Sequence, residues 1–113
     1  MKKAVFFDRD GTINHLILNK KSQSPKTLKN LRLKKNIIKI SKYLKKKNYL
    51  LIMITNQPDV SRGLNTKKNV NEINNFIKKK INLDDIYVSF ARNDKNFRRK
   101  PNPGMLFEAK KKW

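Results

Sequence analysis

Residues 5–14, VFFDRDGTIN, place two aspartates, Asp8 and Asp10, directly after a short apolar run. Acids are scarce in this chain of 113 residues, which has 29 lysines and arginines against 8 aspartates and glutamates. A continuous apolar run without polar alternation is typical of a strand covered on both faces of a parallel sheet. The stretch therefore predicts a buried strand, Ala4–Phe7, that ends in a pair of carboxylates.

The rest of the chain predicts an alternation of strands and helices. Two more apolar runs, Tyr49–Ile54 and Ile86–Phe90, read as further strands. Apolar residues at helical spacing predict helices over 33–44 and 70–77. The predicted helix starts are Asn65 or Thr66 for the second helix, and Asn102 with Pro103 in the first turn for a third.

This order of elements predicts an α/β fold, a doubly wound parallel sheet in one domain over residues 1–113. Residues 15–31 fit none of these elements and are predicted to form a long loop. Loops of that length without secondary structure are often functional.

Composition limits the classes of function. The formal net charge is +21, which is compatible with nucleic-acid binding. The lysines are spread along the chain and accompany many asparagines and isoleucines, as in proteins of AT-rich genomes, so the charge by itself favours no partner. There is no cysteine and no apolar stretch near the ~20 residues that cross a bilayer. We expect a cytoplasmic, soluble protein without a membrane partner; the oligomeric state is open, with a monomer favoured.

Polar side chains follow each predicted strand. Asp8 and Asp10 follow the first strand, Thr55 and Asn56 end the second, and the loop after the third carries Arg98, Arg99 and Lys100. The carboxyl ends of parallel strands share one edge of a sheet, where α/β proteins bind ligands. A carboxylate that attacks phosphorus needs a nearby cation, donors on the phosphoryl oxygens and an acid for the leaving oxygen. The sequence therefore predicts a phosphoryl-transfer site at this edge, against the alternative that DRDG is an ordinary solvated turn.

Three motifs in this order, DRDGTIN (8–14), ITNQPDVSRG (54–63) and RKPNPGML (99–106), resemble the haloacid-dehalogenase superfamily of phosphohydrolases. The resemblance covers nearly the whole chain and is strongest to the capless subgroup that includes heptose bisphosphate and histidinol-phosphate phosphatases. It implies a three-layer, Rossmann-like fold without a cap domain. It also implies that Asp8 is the nucleophile, forming an aspartyl-phosphate, and that Asp10 is the general acid and base.

The resemblance assigns the remaining site residues as well. Thr55 and Asn56 match the motif that binds phosphoryl oxygens, and Lys100 matches the lysine that neutralises the nucleophile and the phosphate. Arg99 is expected to hold a second phosphate or another anionic part of the substrate. Arg62, after the TNQ turn, is a further candidate for a substrate phosphate. A magnesium ion is expected on the Asp8 carboxylate and the Asp10 main-chain carbonyl.

Two departures from the family pattern affect these expectations. Residues 89–101, SFARNDKNFRRKP, stand where many members carry a zinc loop of cysteines and histidine, so no zinc is expected there. The family also continues to a fourth strand and a GDxxxD motif that completes its magnesium site. The present sequence lacks that motif, so we expect a domain truncated at its C-terminus that lacks the last strands.

Three functions stay open from the sequence. The first is a phosphomonoesterase for a small phosphorylated sugar resembling heptose 1,7-bisphosphate, favoured by the Arg-Gly pair at 62–63. The second is a polynucleotide 3′-phosphatase, whose relatives carry similar motifs. The third is an inactive remnant that binds anions only through its charge.

Overall fold

The computed structural model describes residues 2–18 and 22–113. In chain order the elements are β1 (Lys3–Asp8), β2 (Ile17–Leu18), β3 (Ser22–Gln23), a 3₁₀ turn (Leu28–Asn30), α1 (Ile37–Lys46), β4 (Tyr49–Asn56), α2 (Lys67–Ile81), β5 (Asp85–Ser89) and α3 (Gly104–Lys112). No helix in these ranges is both long and apolar enough to cross a membrane.

The main sheet has three parallel strands in the order β1-β4-β5. The predicted doubly wound α/β fold is confirmed. Alternate residues of each strand point to opposite faces, so Phe7 and Met53 contact the core beneath α1 and α2, whereas Phe6 and Ile52 line a groove beside α3. The helices thus cover both faces of the sheet, as the three-layer prediction required.

The core lies between the sheet and α2. Ile73, Ile77 and Ile81 of α2 are fully buried against Leu51 and Met53 of β4. These isoleucines recur at intervals of four, which keeps them on one face of a helix. Burial of a side chain of this size contributes about 1.5–3 kcal/mol, so this seam fixes α2 firmly on the sheet.

The predicted helix start is correct for α2, which continues to Ile81, and is shifted for the other two helices. The Thr66 hydroxyl accepts a hydrogen bond from the Asn69 amide at 3.1 Å, which caps α2 as predicted. α1 begins at Ile37 and not at Leu33, because Leu33 forms a β-bridge with Asn14. α3 begins at Gly104.

The Asn102 side chain explains the late start of α3. It was predicted to cap the helix, but it donates instead to the main-chain carbonyls of Asp94 and Asn96, at 2.7 and 2.8 Å. Asn102 therefore closes the preceding loop.

The segment predicted as an unstructured loop, residues 15–31, contains local structure. β2 and β3 pair in an antiparallel ladder, and the 3₁₀ turn follows. Residues 19–21 of this loop lie outside the described residues. The segment brings Ser24 over the turn after β1, so it forms part of the candidate site.

Candidate active site

Asp8 and Lys100 form an ion pair at the carboxyl end of β1. Asp8 is the last residue of the strand, and 54% of its side chain is exposed to solvent. The Lys100 ammonium pairs with Asp8 Oδ1 and also donates to the Ile54 carbonyl of β4 at 3.2 Å. Burial lowers the pKa of Lys100 below its usual value, while the Asp8 carboxylate favours its charged form. The predicted nucleophile and the predicted cation are therefore in direct contact.

Asn56 fixes the position of Lys100. The amide Nδ2 of Asn56 donates to the main-chain carbonyl of Lys100 at 3.0 Å, and Asn56 Oδ1 accepts from the Lys100 amide at 3.1 Å. Both polar atoms of the side chain are thus bonded to the lysine backbone. Asn56 was predicted to bind phosphoryl oxygens, but in this structure it connects β4 to the loop that carries Lys100.

A cleft of about 470 Å³ opens in front of the ion pair. Asp8, Asn56 and Lys100 line one side, and Met105 and Leu106 of α3 line the other. Charged groups thus face a partly apolar wall. A phosphoryl group placed here would contact both Asp8 and Lys100.

Asp10 lies two residues beyond Asp8 and is held inside the protein. Its carboxylate accepts five hydrogen bonds. Arg9 donates two, at 3.0 and 3.3 Å, and Asn14, Ser24 and Gln57 donate one each, at 3.1, 2.7 and 2.8 Å. Burial alone would raise the pKa of Asp10, but the Arg9 charge and the hydrogen bonds from Ser24, Arg9 and Asn14 outweigh it and hold the pKa below 3.8.

Several of these partners were not singled out by the sequence analysis. Gln57 was inside the quoted TNQ motif and is buried, with its Nε2 also 2.8 Å from the Thr55 hydroxyl. Ser24 was inside the segment expected to be functional because of its length. The sequence did not indicate a role for Arg9, which looked like a turn residue. It did not indicate one either for Asn74 of α2, whose Oδ1 accepts from Arg9 Nη1 at 3.0 Å and which looked like a polar position of a helix.

The remaining predicted residues lie apart from the Asp8–Lys100 pair. Thr55 is buried, and its hydroxyl accepts from Gln57. Arg62 pairs with Asp59 at 3.1 Å and lines a second groove of about 370 Å³ that also includes Ser24 and Gln57, two of the donors to Asp10. This groove is therefore next to the carboxylate of Asp10.

Arg99 is bound to its own loop. Its guanidinium donates to the Asp94 carboxylate at 3.1 Å and to the Ala91 carbonyl at 2.8 Å. Both bonds brace the segment that leads to Lys100. The role expected for Arg99 on a second phosphate stays a prediction.

The oxygen donors near Asp8 suit a weakly held magnesium ion. Within residues 2–18 and 22–113 no three His, Cys, Asp or Glu side chains group as a metal site. The Asp10 carboxylate is occupied by its five donors, so Asp8 alone presents a carboxylate to the cleft. Magnesium commonly binds through one or two carboxylates and completes its shell with water and substrate phosphate, and one carboxylate plus a main-chain carbonyl fits that pattern.

Comparison with known proteins places the fold among phosphatases. A family model described as "Polynucleotide kinase 3 phosphatase" matches residues 3–113. No curated protein gives a significant sequence match.

Two solved structures share the fold. One is a D,D-heptose 1,7-bisphosphate phosphatase from B. bronchiseptica in complex with magnesium and phosphate, with a TM-score of 0.81 and 22% identity over 99% of this chain and 63% of that one. The other is described as a HAD-like phosphatase from Mesorhizobium loti, with a TM-score of 0.81 and 23% identity over 98% of this chain and 57% of that one. The chain therefore spans roughly three fifths of these structures.

Proposed function

The chain belongs to the polynucleotide kinase 3 phosphatase family, and we propose that it hydrolyses phosphate monoesters through an aspartyl-phosphate on Asp8. Its fold also agrees with the haloacid-dehalogenase resemblance of its three motifs. The observation that carries the proposal is the direct pairing of Asp8 with Lys100 at the open end of β1.

In the first step an oxygen of Asp8 bonds to phosphorus while the bond from phosphorus to the leaving-group oxygen breaks. Lys100 offsets the repulsion between the carboxylate and the phosphate and stabilises charge on the phosphoryl oxygens. Asp10 is ionised in the resting protein, because its pKa is held below 3.8, so it takes up one proton from solvent when the substrate binds and gives it back when the product leaves. The leaving-group oxygen displaces one of the donors at Oδ2, and the loss of that donor beside a phosphate anion raises the proton affinity of Asp10. The leaving-group oxygen then takes this proton from the Asp10 carboxyl group.

In the second step a water molecule attacks the aspartyl-phosphate. Asp10 accepts the proton of that water, the bond between phosphorus and Asp8 breaks, and inorganic phosphate is released. Both carboxyl groups thereby return to their initial states. Such general acid–base assistance contributes on the order of 10²–10⁴ in rate.

Magnesium would be held by the Asp8 carboxylate and the main-chain carbonyl of Asp10. When bound it would neutralise part of the phosphate charge. The structural relative from B. bronchiseptica is described as a complex with magnesium and phosphate, which supports this assignment.

The groove beside Asp10 supports a small substrate with a second anionic group. It is lined by Lys26, Arg62 and Asp59, the last of which is paired with Arg62, so the groove keeps a net positive charge where the leaving group would extend. A phosphorylated sugar similar to heptose 1,7-bisphosphate has this chemistry, and the structural relative from B. bronchiseptica is a heptose 1,7-bisphosphate phosphatase. We therefore propose a sugar phosphate as the first substrate class.

A polynucleotide 3′-phosphate is the second candidate. The family description names this activity, and the formal net charge of +21 is compatible with a polyanion. Phe97 and Phe107, three and seven positions along the chain from Lys100, are both more than half exposed, and their ring centroids lie 5.9 Å apart in a stacked arrangement that could receive a base.

Phosphate release from heptose 1,7-bisphosphate and from a 3′-phosphorylated oligonucleotide tests both candidates. We expect magnesium-dependent turnover that Asp8→Asn abolishes, because an amide cannot act as the nucleophile. Glu72→Gln, a substitution on the exposed face of α2, is the control and should leave turnover unchanged. A steep loss with added salt on the oligonucleotide alone would favour the nucleic acid. Turnover by Asp8→Asn equal to the parent would overturn the mechanism, and no turnover on either substrate would favour the inactive remnant.

A further inference from the structure

Arg9 is a charged side chain placed in the interior beside the candidate site. Its side chain has no solvent exposure, although it is located in a turn at the end of β1. A buried guanidinium is strongly unfavourable unless it is paired and hydrogen-bonded. Asp10 is the acid that pairs with it, through Nε to Oδ1 at 3.0 Å and Nη2 to Oδ2 at 3.3 Å.

This two-point contact fixes the orientation of the Asp10 carboxylate. A guanidinium that bonds both carboxylate oxygens holds the two planar groups together, so the carboxylate cannot rotate while the contact lasts. The turn itself is also fixed, since the Arg9 carbonyl accepts from the Ile13 and Asn14 amides at 2.9 and 3.2 Å. The orientation of Asp10 therefore depends on where the guanidinium lies.

Asn74 of α2 holds the far side of that guanidinium. Its Oδ1 accepts from Arg9 Nη1 at 3.0 Å, and the residue is 3% exposed. Its Nδ2 has no hydrogen-bond partner among the described residues. An amide kept in the interior with one unsatisfied donor is costly, so the bond to Arg9 is the evident reason for its presence there.

Resting on the function proposed above, we infer that Arg9 and Asn74 are positioning residues that aim Oδ2 of Asp10 at the groove bounded by Ser24 and Gln57. Those two side chains donate to Oδ2 and line the groove, which is where a leaving-group oxygen would bind. Asn74 touches neither the cleft nor the groove. Its effect on the reaction is exerted through Arg9.

Leaving groups of different acidity test this inference. An alkyl phosphate needs a proton from Asp10, whereas p-nitrophenyl phosphate releases an anion that is stable without one. Hydrolysis of the aspartyl-phosphate is common to both esters and also uses Asp10, so the first step alone is compared, as release of the leaving group in a single turnover. Asn74→Leu should slow release of the alcohol from the alkyl ester on the order of 10²-fold, as expected when a catalytic group is misplaced by about 1 Å. It should change release of nitrophenolate by less than about threefold, with the Kd of both esters unchanged. Asn75→Leu, the adjacent exposed position of α2, is the matched control and should match the parent.

Arg9→Lys is the second variant, because it keeps the charge but cannot bridge both oxygens. It should reproduce the selective loss of Asn74→Leu, and equal losses on the two esters in either variant would overturn the inference. Crystal structures of Asn74→Leu and Asn75→Leu test it without turnover: a rotated Asp10 carboxylate in the former alone is expected, and unchanged Arg9 and Asp10 positions would contradict it. A parent that hydrolyses neither ester would refute the proposed function, while those two structures would still decide on the positioning role.

Discussion

Replacing Asn56 by leucine tests whether this residue positions Lys100 or only binds a ligand. Leucine has a similar shape but can form neither of the two bonds between the Asn56 amide and the Lys100 backbone. A typical hydrogen bond contributes about 0.5–1.5 kcal/mol, so the loss of two should lower the free energy of unfolding by about 1–3 kcal/mol. The loop that carries Lys100 should also move away from Asp8, and turnover should fall.

The assay is equilibrium unfolding in urea without ligand, followed by circular dichroism. Asn71→Leu on the exposed face of α2 is the control, and a surface change of this kind should stay within about 0.5 kcal/mol of the parent. If Asn56→Leu lost turnover but kept the parent's unfolding free energy, the positioning role would be refuted. The amide would then act only on the bound phosphate.

Three further perturbations test other parts of the site and fold. Lys100→Met should reduce phosphate binding and turnover together, while Lys110→Met on α3 leaves kinetics unchanged; equal effects would mean that general basicity is responsible. Gly104→Ala should destabilise the fold by about 1–3 kcal/mol, because its Cβ would lie 2.6 Å from the Phe97 carbonyl oxygen, and an unchanged melting temperature would contradict this contact. The pKa values of Asp10 and Asp85 in the folded protein both lie below 3.8 despite the opposing effect of burial. The free energy of unfolding that the two carboxylates contribute should therefore be fully present above about pH 5 and lost as the pH falls through these folded-state pKa values. Urea unfolding between neutral and acid pH measures this loss, and stability independent of pH below 4 would show that the carboxylates are not preferentially bonded in the fold.

The order of strands and helices could be predicted because it depends on local patterns. Continuous apolar runs such as residues 49–54 can be buried on both faces only inside a covered sheet. The isoleucines of α2 recur at helical spacing, and Thr66 caps the helix where the sequence indicated. The pairing of Asp8 with Lys100 could also be predicted from the sequence, since both residues follow strands whose carboxyl ends share one edge of the sheet.

The sequence could not show which neighbours Asp10 would have. Arg9 and Asn74 are 65 positions apart, and nothing near either residue indicates that a guanidinium and an amide meet in the interior. Likewise the contact of the Asn56 amide with Lys100, 44 positions away, exists only once the loop after β5 packs on β4, so the sequence did not indicate it. The phosphate-binding role of Asn56 stays a prediction. These contacts form because a buried polar group without a partner is costly, and only the tertiary structure decides which partners come within reach.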